Sequence, residues 1–349
     1  MSLSAATAFL RDHIAPNAHA IDTSVEAMGV AFTEMRKQGL MALKRPAEYG
    51  GPAISEADFR TYQEEVARAS GSFAFLQTQH QSAVNMIAKQ ASVEIKAEYL
   101  PQMHGPKTVG IGFSQLRRTG DPICKAVETD NGYILNGEVP WITGLGFFDE
   151  YLIGSVLPDG RAVFGFMPFA NVEGQTMSEP MRLAAMETCQ TVTARLTDYH
   201  LSKDQVAFIN DKDWMRKNDA FNIVVQGHFA VGCALAGADI VQDVANKKGF
   251  DFLHETATKL YAEIEECRAA LVAHQKDFAE DTAPLRLQKR AWAIDLMMRC
   301  AHAGVVVSSG AANYQSHPAQ RVLREAIVFS VSAQTGPIME ATLSRLTRL

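Results

Sequence analysis

Apolar positions in residues 1 to about 108 recur at helical spacing, as in Thr61-Tyr62-Gln63-Glu64-Glu65-Val66-Ala67-Arg68, and predict a helical region. The Gly- and Pro-rich stretch Pro46-Ala47-Glu48-Tyr49-Gly50-Gly51-Pro52 interrupts it as a loop. From about 109 the period falls to two. Apolar runs over 149–157 and 162–167, split by Pro158-Asp159-Gly160, predict two strands and a turn, and 193–198 is a further strand candidate. Tyr133-Ile134-Leu135-Asn136-Gly137 followed by Trp141-Ile142-Thr143-Gly144 reads as a hairpin that turns at Asn-Gly. From about 211 helical spacing returns. Long helices are predicted over 214–247, 251–280, 284–313 and 318–347, with breaks marked by Gly249, Pro284 and His317-Pro318. The expected organisation is therefore mainly α with a β insert: a helical domain over 1–108, a β domain over 109–210 and a four-helix bundle over 211–349.

Composition narrows the function. At 349 residues and 47% hydrophobic content, the chain can build two or three packed units. A formal net charge of −6 argues against a nucleic-acid binder, which would show a basic face. The opening Met-Ser-Leu-Ser-Ala-Ala-Thr lacks the basic and long apolar regions of a secretory signal. Cys124, Cys189, Cys233, Cys267 and Cys300 are odd in number and form no C-x-x-C pair. They are expected to be buried free thiols of a cytoplasmic protein, with no metal site. Phe221 to Val241 is apolar enough to suggest a membrane span. However, Asn222, Gln226, His228 and Asp239 would be costly in hydrocarbon, and its small residues suit a packed helix of a soluble bundle.

The chemistry-bearing stretch is Gly110-Ile111-Gly112-Phe113-Ser114-Gln115, then Arg117-Arg118-Thr119-Gly120-Asp121, then the Tyr133–Gly144 segment. Together these resemble the flavin-contacting middle domain of the acyl-CoA dehydrogenases, whose usual pattern is T-E-P-G-A-G-S-D followed by Y-x-L-N-G-x-K-x-W-I-T. The resemblance extends to Pro46–Gly51 (P-x-E-Y-G-G), Ala67–Ser72 (A-R-x-D-x-S) and Tyr99-Leu100-Pro101 (Y-L-P), and so covers essentially the whole chain. It implies an N-terminal helical domain, a middle β-barrel-like domain and a C-terminal four-helix bundle, with FAD as cofactor. It also implies an acyl substrate, an electron-transfer flavoprotein or reductase as partner, and a homodimer or homotetramer built through the bundle.

By the same resemblance Trp141 and Ile142 pack along the flavin ring, Thr143 hydrogen-bonds near its N5, Ser114 bonds its edge, and Thr335 falls on the Thr of the motif's G-T. The first half of the pattern is rewritten. Arg117 and Arg118 replace small residues, Thr119 replaces the second Gly and Gly120 replaces the Ser. Two guanidiniums in this loop could clamp a carboxylate or phosphate on the substrate, or simply be solvated charges. The far end of the cofactor has lost the motif R-x-x-F-G. Lys247 or Lys248 either replaces its charge or faces a helix C-terminus, and the later G-G-x-G reads Ser309-Gly310-Ala311-Ala312.

The expected base is missing as well. Aligning Pro318–Ala326 with the family's P-V-E-R-L-x-R-D-A places Ala333 on the catalytic Glu. The alternative position on the first bundle helix falls on Asn222. Neither side chain can take an α-proton. Asp219, one turn before Asn222, and Glu340, two turns after Ala333, are substitute carboxylates. Glu325 is a third, although it matches an acidic position of the motif that is not the base. Each reads more readily as a surface or cap residue. Glu340 qualifies only if the helix after 318 is continuous. His228 reads as a hydrogen-bonded core histidine. The leading expectation is an FAD-dependent oxidoreductase acting on an acyl thioester with a non-standard base. The alternatives are a flavin-dependent monooxygenase of the same fold and a non-catalytic binding or assembly protein.

Overall fold

The computed structural model describes residues 3–276 and 279–347. Six helices come first: α1 Leu3–Phe9, α2 Ala18–Thr23, α3 Val25–Lys37, α4 Glu56–Ala69, α5 Gly71–Gln90 and α6 Val93–Tyr99. Serines start four of them. The hydroxyls of Ser24, Ser55, Ser70 and Ser92 accept the N–H of Ala27, Asp58, Phe73 and Ile95. Each cap contributes about 1 kcal/mol by satisfying a donor the helix cannot.

Eight strands follow: β1 Val109–Gly112, β2 Cys124–Thr129, β3 Gly132–Thr143, β4 Glu150–Val156, β5 Ala162–Pro168, β6 Gln175–Met177, β7 Thr191–Ser202 and β8 Val206–Asn210. They form one sheet ordered β6-β7-β3-β2-β4-β5-β8, with β1 alongside β4. Among the described residues no ladder joins β6 to β8, so the sheet stays open. The expected Asn136–Gly137 turn is not there. β3 runs straight through it, the ladder with β7 skips a residue between Leu135 and Gly137, and Gly137 has φ +127°. A Cβ at Gly137 would lie 1.9 Å from the carbonyl oxygen of Ile123, so the glycine serves a bulge and a close strand approach. The hairpin instead turns one step earlier, where Thr129 pairs with Gly132 across two residues.

The C-terminal helices are α7 Trp214–Val225, α8 Gly227–Lys248, α9 Asp251–His274, α10 Ala283–Ser308, α11 Pro318–Val331 and α12 Gly336–Leu346. Two expected long helices are broken. The first parts at Gln226. The last parts over 332–335, where Ala333 is left-handed at φ +51° and the Thr335 hydroxyl caps a new helix whose first turn holds Pro337. α8 is the hub of this region. It packs against α4, α9, α10 and α11, with its apolar face buried against them. A Cβ at Gly232 would meet the Glu64 carbonyl at 2.1 Å, so α4 and α8 touch backbone to backbone. All five cysteines are buried and unpaired.

His80 joins the helical domain to the sheet. Its Nδ1 accepts from the Val109 N–H at 3.0 Å, and Nε2 donates to the Met103 carbonyl at 2.8 Å. Burial pushes its pKa below the ordinary 6.5, outweighing those carbonyl contacts. The fold therefore disfavours the second proton. The stability His80 contributes is full above pH 6.5 and is lost as pH falls towards the lowered folded value. Melting curves of wild type and His80→Gln at pH 7.5 and 5.5, roughly one unit either side of the ordinary histidine value, check this. The loss of melting temperature on acidification should shrink in the variant.

Candidate active site

The place where the three regions meet is hollow. A cavity of about 950 Å³ lies where α5, the ends of β1 and β3, α7 and the α11–α12 turn converge. That volume suits a large cofactor or ligand rather than a single metabolite fragment.

β3 delivers the first wall. Side chains alternate along a strand, so Ile142 points into the core and is fully buried, while Trp141 and Thr143 share the opposite face. Trp141 is 51% exposed into the hollow. Thr143 faces Thr191 across the β3–β7 ladder, with the two hydroxyls 3.0 Å apart, and both line the cavity. Ser114 opens a short helical turn after β1. Gln115 fixes that turn by donating to the carbonyls of Gly112 at 3.4 Å and Gly154 at 2.8 Å. Trp214 locks α7 to the sheet, with ring centroids 5.1 Å from Phe164 and 6.0 Å from Phe113.

Of the residues picked out in the sequence, Ser114, Arg117, Arg118, Trp141, Thr143, Asn222 and Ala333 come together on the cavity wall. Ile142 stands behind it. Thr335 faces its own helix start, its hydroxyl accepting the Ile338 N–H. Gly120 lies in an exposed turn at φ +92° with open space where a Cβ would be. Lys248 donates to the Val307 carbonyl at 3.2 Å, as a lysine at a helix C-terminus does.

Arg117 is not a free clamp. Its Nε lies 2.9 and 3.1 Å from the two carboxylate oxygens of Asp219, and Nη2 lies 2.8 Å from one of them. This fork ties the Ser114 turn to α7 and engages both carboxylate oxygens of Asp219. The continuous helix on which the reading of Glu340 depended is not there: α11 ends at Val331, and Glu340 is exposed on a separate helix. Glu325 is neither a surface residue nor on the cavity. It is fully buried, accepts from Arg321 at 2.7 Å and from the Ser72 N–H at 3.3 Å, and burial raises its pKa. Asn222 donates to the Asn218 carbonyl at 2.8 Å. Buried His228 bonds Glu64 at 2.6 Å, as expected of a core histidine. Among the described residues no Asp, Glu, His, Tyr or Cys lines the cavity.

Sequence reasoning missed the α5 wall. Thr78, Ser82, Asn85 and Lys89 recur at spacings of four, three and four, one polar stripe on an otherwise buried helix. That stripe was readable as a site signal. Gln226 and Gln334 were not, because each depends on a helix break that periodicity hides.

Residues 1–105 match the family model described as acyl-CoA dehydrogenase, N-terminal domain. Mitochondrial isovaleryl-CoA dehydrogenase of Pongo abelii is 22% identical over 97% of this chain and 85% of its own length. Among solved structures, butyryl-CoA dehydrogenase from Megasphaera elsdenii superposes with a TM-score of 0.82 at 18% identity, covering 99% of this chain and 97% of that one. An acyl-CoA dehydrogenase complexed with FAD from Bacillus anthracis gives a TM-score of 0.81 at 16% identity, over 99% of this chain and 65% of that one. The structural likenesses speak to the fold.

Arg117→Ala and Asp219→Ala should each lower stability by about 1–2 kcal/mol, and the double variant should show a coupling of roughly 1 kcal/mol. Urea unfolding of the four proteins measures this. Additive losses would mean that the ion pair does not hold the turn to α7.

Proposed function

The chain belongs to the acyl-CoA dehydrogenase superfamily, and on that footing we propose that it is an FAD-dependent oxidoreductase acting on an acyl thioester or related activated substrate without the usual carboxylate base. The observation that carries the cofactor is the half-exposed face of Trp141 beside the hydroxyls of Thr143, Thr191 and Ser114. A ring with a flat apolar face and a polar edge needs that combination. An indole this large left uncovered on a strand is otherwise a cost. Trp141 would cover the isoalloxazine face. Because Thr143 and Thr191 share one mutual hydrogen bond, one of the two hydroxyl protons remains for the ring edge. FAD bound here supplies an acceptor for hydride or, once reduced, a donor of electrons to oxygen.

The wall of amides and hydroxyls can orient a thioester and exclude water, but Asn222 and Ala333 cannot hold the α-proton at neutral pH. The acceptor is then water, another ligand group or the substrate itself. The same lack of a carboxylate favours a second reading, an oxygen-dependent flavin monooxygenase supplied by an external reductase. In either case the partner is an electron-transfer flavoprotein or reductase. The protein is a homodimer or homotetramer through the bundle, whose outer face exposes Val306, Met339, Leu343 and Leu346.

The visible spectrum of the purified protein, repeated after excess FAD and dialysis, tests the proposal. Flavin bands are expected, and Trp141→Ala should bind FAD at least about tenfold more weakly, as loss of one stacking face implies. Bleaching by an acyl-CoA without oxygen marks a dehydrogenase. A requirement for reductase and oxygen marks the monooxygenase. A protein colourless under both conditions sinks the oxidoreductase and leaves a fold kept for binding.

A further inference from the structure

Two cations on the cavity wall have no acid of their own. Lys89 stands near the end of α5, exposed, 5.5 Å from the centroid of the Phe221 ring. Glu56, which feels its charge, is already bound by Lys44 and by Arg60 at 3.2 Å. Arg118 is exposed directly after the Ser114 turn, and its guanidinium meets no carboxylate among the described residues. Both line the same cavity, and each lies beside a contact to α7. Arg117, the neighbour of Arg118, is fastened to Asp219, while Lys89 lies over Phe221 two residues further along the same helix.

Charge bookkeeping sharpens this. The chain carries 39 acidic against 33 basic side chains, yet this concave wall holds Lys89, Arg117 and Arg118 and no carboxylate. Only Arg117 is neutralised, from behind. Exposed cations on a concave wall with no carboxylate make a local positive field that attracts an anionic ligand. The wall has lost a carboxylate at 333 and gained cations at its mouth, a pattern explained together if the anion has moved from the protein to the substrate.

We propose that Lys89 and Arg118 form an oxyanion-binding pair and that the acyl group of the substrate ends in a carboxylate. Arg118 offers a planar fork and Lys89 a mobile point charge. This assignment rests on the reading of the cavity as an acyl-thioester site.

Calorimetric titration of the FAD-loaded protein with matched pairs tests it: succinyl-CoA against butyryl-CoA, malonyl-CoA against propionyl-CoA, and free coenzyme A. The carboxylated member of at least one pair should bind about tenfold tighter, the increment of a charge-assisted hydrogen bond. Arg118→Gln and Lys89→Gln should each bring the ratio towards one while leaving the neutral thioester unchanged, and Arg118→Lys should restore part of it. Both side chains are exposed, so unchanged melting curves confirm folding. Equal binding within both pairs, or no binding of any thioester, overturns the proposal. So does an equal loss of free coenzyme A and both thioesters in Arg118→Gln, which would assign the cations to the phosphates of the carrier. The flavin bands of the same samples report separately on the oxidoreductase reading.

Discussion

The helices that surround the cavity are positioned from α8, a helix that must be approached on several sides at once. Its sequence, Gly227-His228-Phe229-Ala230-Val231-Gly232-Cys233-Ala234, keeps side chains short where neighbours arrive. At Gly232 the carbonyl of Glu64 occupies the space of a Cβ, and at Gly237 the backbone of Cys300 does the same at 2.5 Å. Two backbones in contact with one helix fix the spacing of α4 and α10 around α8, and α11 lies against it as well. α4 leads through Ser70 directly into α5, the polar-striped wall of the cavity. A methyl group at 232 would therefore be felt at the site through the start of α5.

Such close contact leaves little room for water, so charges trapped there must answer one another. Glu64 is met by His228 and by Arg268, each at 2.6 Å, while Asp239 takes Arg68 at 2.7 and 2.8 Å and the Tyr261 hydroxyl at 2.6 Å. At the head of α5, Asp22 takes Arg324 at 2.5 Å and the Ser72 hydroxyl at 3.2 Å, beside the Glu325–Arg321 pair. Burying these groups costs desolvation that their pairing offsets but does not greatly exceed. What they supply is register, because the pairs are satisfied together in one arrangement of α2, α4, α5, α8, α9 and α11. The contrast with the cavity is physical. Behind the wall carboxylates are matched closely by cations; on it Lys89 and Arg118 stand without carboxylates.

The fold was largely legible because period is a strong signal. The change from helical to alternating spacing and back follows directly from which faces must be buried, and the Pro158-Asp159-Gly160 turn lies between β4 and β5 as read. Trp141 and Thr143 were legible through the W-I-T resemblance, and strand alternation puts both on one face. The failures are local backbone events. Asn136-Gly137 has the chemistry of a turn, but the same left-handed freedom serves a bulge when the partner strand continues. Thr335-Gly336-Pro337 carried a cap and a proline start that the smooth apolar pattern around it masked. Arg117 could not be judged at all, because its partner Asp219 is 102 positions away and sequence gives no distance between them.

The α11–α12 turn shows how far scaffold and chemistry can separate. Arg290 is fully buried on α10 and donates to the carbonyls of Phe329 at 3.4 Å and Ser332 at 3.2 Å, holding the end of α11 where its backbone would otherwise be unsatisfied. Burial without a carboxylate pushes its pKa down to about 10. Beyond it Ala333 takes a left-handed conformation that an alanine adopts only at a cost on the order of 1 kcal/mol. A buried guanidinium and a strained residue are an expensive way to finish a helix whose next residues merely connect to α12. The arrangement makes sense if its product is the placement of residues 331–334 on the cavity wall, which they line. The turn thus sets position 333 on the wall, where the side chain it presents is a methyl group. Since no carboxylate lines the wall among the described residues, a proton acceptor for chemistry there would have to come from outside the lining.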